Sequence, residues 1–236
     1  MKRVVKLNYK GIDFDISIRF KKGNETLVFI HGLICSKNDF SSVWEIPSFK
    51  KYGILTFDLP GFGKSSKPEN FSYDMEDQAE ICKLLIEKLG IGDIHLIGHS
   101  MGGTISVLLA KKIPDKIISF SNLEGNLIGG DCSLSRKISN MPYGEFVNKK
   151  EMIGDNAPSP TYKSSKSLVR WADSENLLNM FLNLSMKKSY FSSDRNVLPC
   201  IKLLKDKVNI VTISNSSHFM MGDNPKELYE KLAAVL

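Results

Sequence analysis

The sequence predicts an α/β protein that is built on a mostly parallel sheet with flanking helices. Short continuous apolar runs rich in Leu, Ile, Val and Phe recur along the chain, as is typical of parallel strands buried on both faces. Longer segments with helical periodicity separate these runs, which is the pattern of a parallel sheet with helical crossovers. The apolar runs are residues 26–30, 54–57, 94–97, 117–120 and 208–213.

The length and composition are those of an ordinary globular protein. The chain has 236 residues, of which 42% are hydrophobic and 25% are charged, and this excludes disordered, collagenous and coiled-coil classes. A chain of this size can bury a core without a metal or a disulfide. The cysteines are scattered without a Cys-x-x-Cys pair, so we expect reduced, buried thiols at Cys35, Cys82, Cys132 and Cys200.

The charge does not by itself identify a partner. The net charge of +6 would allow binding to nucleic acid, but no interleaved basic and aromatic pattern supports it, so we predict no nucleic-acid partner. Lys6 and Lys10 interrupt the N-terminal apolar residues, and no run approaches the roughly 18 apolar residues of a membrane helix. We therefore predict a cytoplasmic protein without a membrane partner.

The first and last parts of the predicted core have clear local signals. Val4–Asn8 and Ile12–Phe20 alternate apolar and polar residues around a glycine, which predicts an antiparallel hairpin at the sheet edge. Met75–Leu89 and Met101–Lys112 have helical patterns, and a capping box with Pro225 at the first helical position begins the last helix.

The alternation of strands and helices lapses between Asp131 and Lys188. This stretch predicts short helices joined by Pro, Ser and Asn turns, so we interpret residues 131–188 as a lid inserted into a core formed by residues 1–130 and 189–236. Apolar lid residues can form the walls of a substrate pocket. The candidates for that role are Met141, Trp171 and Phe181.

The strongest chemical signal is the pentapeptide Gly98-His99-Ser100-Met101-Gly102. It lies between a predicted strand and a predicted helix, and in this context Gly-x-Ser-x-Gly predicts a strained turn that presents a nucleophilic serine. The helix N-terminus behind Ser100 offers free amides to an oxyanion. The Met101 amide is one candidate donor, and the Leu33 amide, which follows His31-Gly32 at the end of an earlier strand, is the second.

A serine nucleophile needs a general base at the same edge of the sheet. Of the four histidines, His95 lies within a predicted strand, His99 lies inside the serine turn, and His31 has a structural role in its loop. His218 follows the last predicted strand and precedes the last helix, which is where this base is expected.

These pieces together resemble the α/β-hydrolase fold over nearly the whole chain. The matching segments are His31-Gly32, Asp58 to Ser65, Gly98 to Gly103, and Ser217-His218-Phe219 before Asp223-Asn224-Pro225. The resemblance implies a mostly parallel eight-stranded sheet flanked by helices, with a short helical lid after strand six.

The third catalytic residue departs from the commonest pattern of that family. Family members usually carry an Asp after strand seven, but aligning Ser193 with the usual glycine places Asn196 at the position of the acid. A neutral Asn cannot stabilise an imidazolium. Glu124 ends strand six beside the strand that leads to Ser100, so we predict Glu124 as the acid, with Asp194 and then Asp131 as alternatives.

The resemblance and these residues predict a serine hydrolase of the carboxylesterase type. Ser100 would attack a small-molecule acyl substrate, an ester or else a thioester, lactone or amide, with no cofactor or metal. Alternatives are other chemistry of the same fold, such as carbon–carbon bond hydrolysis or cofactor-free peroxidation, or a ligand receptor that turns over slowly.

Overall fold

The strands of the protein form one eight-stranded sheet. A computed structural model describes residues 2–153, 156–174 and 176–236. Its strands are β1 (Lys2–Tyr9), β2 (Ile12–Lys21), β3 (Glu25–Ile30), β4 (Gly53–Phe57), β5 (Asp93–His99), β6 (Ile117–Leu123), β7 (Lys187–Ser193) and β8 (Asn209–Ile213). Every strand predicted from the sequence is present, with boundaries that differ by at most three residues.

The sheet is mostly parallel, as the sequence predicts. The strand order is β1-β2-β4-β3-β5-β6-β7-β8. Strands β1 and β2 form the expected antiparallel hairpin at one edge, β2 pairs antiparallel with β4, and the remaining pairs are parallel. Because β5, β6 and β7 are parallel neighbours, their carboxyl ends meet at one edge of the sheet.

Helices follow most of the strands. Those before β7 are α1 (Met75–Lys88), α2 (Met101–Lys112), α3 (Ser133–Ser139), α4 (Tyr143–Phe146), α5 (Lys150–Ile153), α6 (Pro158–Asp173) and α7 (Asn176–Leu182). Those after β7 are α8 (Ile201–Leu204), α9 (Met220–Asp223) and α10 (Pro225–Val235). A 3₁₀ segment over Lys37–Glu45, which the sequence analysis did not predict, follows β3.

The sheet has a separate apolar core on each face. Along β3, Val28 and Ile30 belong to the core that contains α1, α2, α6 and α7, whereas Leu27 and Phe29 belong to the core that contains the 3₁₀ segment and α10. This alternation follows from the period of two in a strand. Burial on both faces explains why the parallel strands have continuous apolar sequences.

Helices occupy most of the segment that the sequence predicts to be a lid, and they are short as expected except for α6, which has 16 residues. Helices α3 to α7 lie between β6 and β7, where the regular pattern lapses. Residues 154, 155 and 175 of the predicted lid lie outside the described residues. The division into core and lid stays a prediction.

The expected state of the cysteines is confirmed, since all four are free and buried. None of the helices in the described ranges is long and apolar enough to cross a membrane. Within the same ranges, no group of three or more His, Cys, Asp and Glu side chains is arranged to hold a metal ion.

Candidate active site

Ser100 lies in the sharp turn between β5 and α2. Its backbone has φ 53° and ψ −122°, a conformation that costs a non-glycine residue about 1–3 kcal/mol and persists only where neighbours hold it. The Ser100 amide donates to the Leu123 carbonyl at 3.0 Å, and the Gly103 amide donates to the Ser100 carbonyl at 2.8 Å. The turn therefore holds the half-buried Ser100 side chain at the carboxyl edge of the sheet.

The small residues of the turn are required by close backbone approach. A Cβ atom at Gly102 would lie 2.2 Å from the Ile30 carbonyl oxygen, at the end of the neighbouring strand β3. No side chain fits there, so α2 packs directly against the end of β3. This contact explains why the motif needs glycine at its fifth position.

Glu124 lies directly after β6, beside the turn that carries Ser100. Its backbone also has a positive φ, 45°, and its amide donates to the Phe191 carbonyl of β7 at 3.0 Å. The side chain is fully buried. The strand order thus brings Glu124 to the edge where the sequence analysis expects the acid.

The Glu124 carboxylate contacts His218 and is held by three further hydrogen bonds. Its Oε2 lies 2.8 Å from His218 Nδ1 and accepts from Asn196 Nδ2 at 2.9 Å. Its Oε1 accepts from the amide and the hydroxyl of Ser193, at 2.8 and 2.6 Å. Burial alone would raise the pKa of Glu124, but the hydrogen bonds from His218, Ser193 and Asn196 outweigh it and lower that pKa. The group is therefore an ionised carboxylate at neutral pH.

The loop that carries His218 is fixed by two other carboxylates. Asp194 accepts from the amides of Asn215 and Ser216 at 2.8 and 3.0 Å, and Asp223 accepts from the amide and the hydroxyl of Ser217 at 2.7 and 2.6 Å. Both carboxylates thus satisfy backbone donors immediately before His218. The imidazole itself is about one-third exposed.

His99 is hydrogen-bonded to the backbone of the same loop. Its Nε2 lies 2.9 Å from the His218 carbonyl oxygen, so it donates this hydrogen bond as the neutral Nε2–H tautomer. Burial, and secondarily the neighbouring His218, lower the pKa of His99 well below its usual value. The second residue of the Gly-x-Ser-x-Gly motif therefore positions the His218 backbone.

The two residues whose amides are the predicted oxyanion donors lie near Ser100. Met101 begins α2, and Leu33 follows the His31-Gly32 pair and lines the cavity beside Ser100. Among the described residues, neither amide donates to another protein atom. His31 is buried, and its Nε2 accepts from the Leu59 amide at 3.0 Å, so it anchors the loop that carries Leu33.

The two alternative acids are engaged elsewhere. The Asp194 carboxylate is hydrogen-bonded to the backbone of the loop before His218, and not to the imidazole. Asp131 accepts from the amides of Leu127, Ile128 and Cys200 at 3.0 to 3.1 Å. Of the three carboxylates considered from the sequence, Glu124 is the one in contact with His218.

A cavity of about 210 Å³ opens beside Ser100 and His218. Its lining combines residues of the loops after the strands with the first residues of α3. The lining residues are Leu33, Cys35, His99, Ser100, Asn126, Asp131, Cys132, Ser133, Leu134, Ser135, Asn196, Leu198, His218 and Phe219. Phe219 and Leu134 are 49% and 46% exposed, so apolar side chains surround its mouth.

The three predicted pocket residues of the lid do not line this cavity. Phe181 is fully buried and its ring packs edge-on against Phe120 at 5.5 Å. The Trp171 indole donates to Asp74 at 3.3 Å, at the start of α1. Met141 packs at the margin of the apolar core. These contacts are with the core and with the start of α1, and a pocket role for the three residues stays a prediction.

The sequence analysis did not identify several residues that surround the site. Cys35 and the segment from Cys132 to Ser135 form cavity walls, and Ser193 and Asn196 donate to Glu124. The sequence does not indicate that these wall residues line a cavity, because their position depends on how α3 packs in the folded protein. Asn196 did have a signal, since it stands where the family usually has its acid.

Comparison with known proteins supports the class that the fold and site define. The family model described as alpha/beta hydrolase fold matches residues 25–131. The structure of a thermophilic esterase from Thermogutta terrifontis superimposes with a TM-score of 0.78 at 16% identity, covering 98% of this chain and 97% of that one. This is therefore an α/β-hydrolase fold protein.

Similarity to curated sequences is confined to part of the chain. The chain is similar to the uncharacterized hydrolase YugF of Bacillus subtilis (strain 168), with 39% identity over 94 residues, or 39% of this chain. It is also similar to the putative esterase/lipase 2 of Mycoplasma genitalium, with 32% identity over 98 residues, or 41% of this chain. The matches span 34% and 36% of these relatives' lengths. The sequence similarity therefore covers less than half of this chain and about a third of each relative, and the fold rests on the superposition.

Proposed function

We propose that this protein is a serine hydrolase that cleaves a small carboxylic ester through an acyl-enzyme on Ser100. The observation that carries the proposal is the 2.8 Å contact between His218 Nδ1 and the buried Glu124 carboxylate, at the cavity that Ser100 also lines. A serine and a histidine at one cavity, with a buried carboxylate bonded to the histidine, are the elements of a catalytic triad. Their chain order, serine then acid then histidine, is that of α/β-hydrolases.

The hydrogen bond to Glu124 defines what the imidazole does in this proposal. Because Nδ1–H donates to the carboxylate, Nε2 is left as the acceptor that takes the proton of the Ser100 hydroxyl. The serine oxygen attacks the acyl carbon, and the resulting imidazolium is stabilised by the ionised Glu124. The protonated His218 then gives its proton to the leaving alcohol.

The oxyanion of the tetrahedral intermediate is assigned to two backbone amides. The Met101 amide is a free donor at the start of α2, where the helix dipole favours negative charge. The Leu33 amide is the second donor, held by the anchored His31 loop. In the second half-reaction a water molecule, activated by His218, hydrolyses the acyl-enzyme and releases the acid.

Similar proteins support this assignment without specifying a substrate. The names of the relatives and of the structural neighbour include hydrolase, esterase and lipase. Ester, thioester, lactone and amide substrates all pass through the same acyl-enzyme. The serine nucleophile favours this group of reactions over epoxide or carbon–halogen hydrolysis, which this fold performs with an Asp nucleophile.

The test is turnover of p-nitrophenyl butyrate by the protein and by its Ser100→Ala variant. We expect steady-state hydrolysis by the parent and a loss of about 10³-fold or more in the variant, because the nucleophile is removed. Ser106→Ala is a matched control, since this serine is buried in α2 and donates to the Gly102 carbonyl. Full activity of Ser100→Ala would refute the proposal, and so would hydrolysis of a diketone but not of any ester.

A further inference from the structure

The cavity beside Ser100 is small for a ligand site. Its volume of about 210 Å³ lies below the roughly 300 to 1,000 Å³ of pockets that enclose drug-sized ligands. Part of its wall is formed by the buried side chains of Leu33, Cys35 and Cys132. The cavity therefore cannot widen unless residues of the core move. A long acyl chain therefore has no enclosed space beside the nucleophile.

The cavity contains no cationic group that could receive a carboxylate. Among its described lining residues, none is Lys or Arg. The neutral His99 is committed to the His218 carbonyl. Asp131 lines the wall, and its carboxylate, which accepts from three backbone amides, makes this region less favourable for another anion.

Four of the nine Lys and Arg side chains of residues 131–188 are bonded to protein groups that do not line the cavity. Arg136 donates to the Asp173 carboxylate from both of its terminal nitrogens, Nη1 and Nη2. Arg170 forms an ion pair with Asp74. Lys163 donates to the carbonyls of Glu69 and Phe71, and Lys188 donates to the Leu184 carbonyl. None of the Lys and Arg residues of this segment is among the described residues that line the cavity.

We propose that the acyl group of the substrate is short and carries no negative charge. This inference rests on the proposed function and specifies the substrate class of the same site. A carboxylate placed in the cavity would lose its hydration without gaining a cationic partner, which is strongly unfavourable. A short neutral acyl group instead meets the apolar side chains of Leu33, Leu134 and Leu198.

The test compares p-nitrophenyl esters that differ only in the acyl group. The monosuccinate ester is about as long as the valerate ester but ends in a carboxylate, so this pair isolates charge. We expect kcat/KM for valerate to exceed that for monosuccinate by about 100-fold. We expect butyrate to exceed dodecanoate by about tenfold, since the longer chain cannot be enclosed.

A matched pair of variants tests the charge argument directly. Leu134→Arg places a cation at the cavity, whereas Leu203→Arg adds the same charge at a leucine of equal exposure that does not line it. We expect Leu134→Arg to raise the ratio of monosuccinate to valerate hydrolysis by about tenfold. We expect Leu203→Arg to leave that ratio unchanged within about twofold.

The outcomes separate this inference from the proposed function. Hydrolysis of monosuccinate as fast as valerate, equal responses of both arginine variants, or rates that rise steadily to dodecanoate would overturn the inference alone. Failure to hydrolyse any ester, together with no labelling of Ser100 by a fluorophosphonate, would overturn the proposed function and the inference with it.

Discussion

Glu124 and His218 are 94 positions apart in the chain, yet the Glu124 carboxylate lies 2.8 Å from His218 Nδ1. Glu124 follows β6, and His218 lies in the loop after β8, so the contact crosses the carboxyl end of β7. Strand β7 contributes Ser193, which holds the other carboxylate oxygen. The sheet thus defines the geometry of the proposed acid and base.

The role of the acid is tested by Glu124→Gln. The amide keeps the size of the side chain but cannot stabilise an imidazolium, so we expect kcat for p-nitrophenyl butyrate to fall by about 10³-fold or more. Asp194→Asn is the control, because Asp194 is bonded to loop amides and not to His218. We expect the control to keep kcat within about tenfold, and the reverse pattern would move the acid role to Asp194.

Asn196 is expected to position the acid. Its Nδ2 donates to the same carboxylate oxygen that contacts His218. Loss of one hydrogen bond to a charged group typically changes an equilibrium constant by about tenfold or more. We therefore expect Asn196→Ala to lower kcat by about tenfold with little change in KM. Asn209→Ala provides the comparison, because this side chain donates to Ser189 at the opposite end of β7. Equal kcat values in the two variants would refute the positioning role.

Stability should depend on close backbone packing near the nucleophile. A Cβ atom at Gly103 would lie 2.6 Å from Gly125 Cα, so Gly103→Ala forces α2 away from the β6 end and should lower the free energy of unfolding by about 1–3 kcal/mol. At Gly144, in α4, a Cβ meets nothing within 4 Å, and Ala there should be neutral or stabilising. Urea unfolding measures both changes, and equal effects would contradict this packing argument.

The buried histidines predict a loss of stability in mild acid. Burial lowers the pKa of His31, and burial with the neighbouring His218 lowers that of His99. Below the ordinary His pKa of about 6.5 the unfolded chain binds protons that these folded sites do not, so the free energy of unfolding falls as pH decreases. The slope is at most about 1.4 kcal/mol per pH unit for each group. Glu124 also contributes to the free energy of unfolding, but because its pKa is lowered from 4.5, that contribution is lost only at a pH below 4.5.

Urea unfolding at pH 7 and pH 5 checks this prediction. We expect the parent to be less stable at pH 5, and His31→Gln to show a smaller difference between the two pH values because it removes one titrating group. A free energy of unfolding that stays constant from pH 7 to pH 5 would contradict the assignment of both histidines as neutral in the folded protein.

The sequence was sufficient for features that depend on local signals and strand order. The apolar runs predicted the strands, and the Gly-x-Ser-x-Gly motif predicted the turn at Ser100, because backbone strain there needs small neighbours. The position of Glu124 followed from β5 and β6 being adjacent. The structure then brings Glu124, and not Asp194, into contact with His218.

The features that the sequence could not predict depend on tertiary packing. Trp171 and Phe181 have the apolar character of pocket residues. Composition, however, does not determine which face of a helix packs against the rest of the protein. The cavity wall instead includes small residues such as Cys132 and Ser135, which carry no distinguishing pattern. The 3₁₀ segment over Lys37–Glu45 was missed because it is short and its helical spacing rests on only three apolar residues, Phe40, Val43 and Trp44.

The most direct test of the central claim is detection of the acyl-enzyme. The protein is mixed with p-nitrophenyl butyrate, quenched in acid within the first turnovers, and digested for peptide mass spectrometry. We expect a butyryl group on Ser100, which is absent from the Ser100→Ala variant and forms much more slowly in Glu124→Gln. Ester hydrolysis without any acyl group on Ser100, or with the acyl group on another residue, would contradict it.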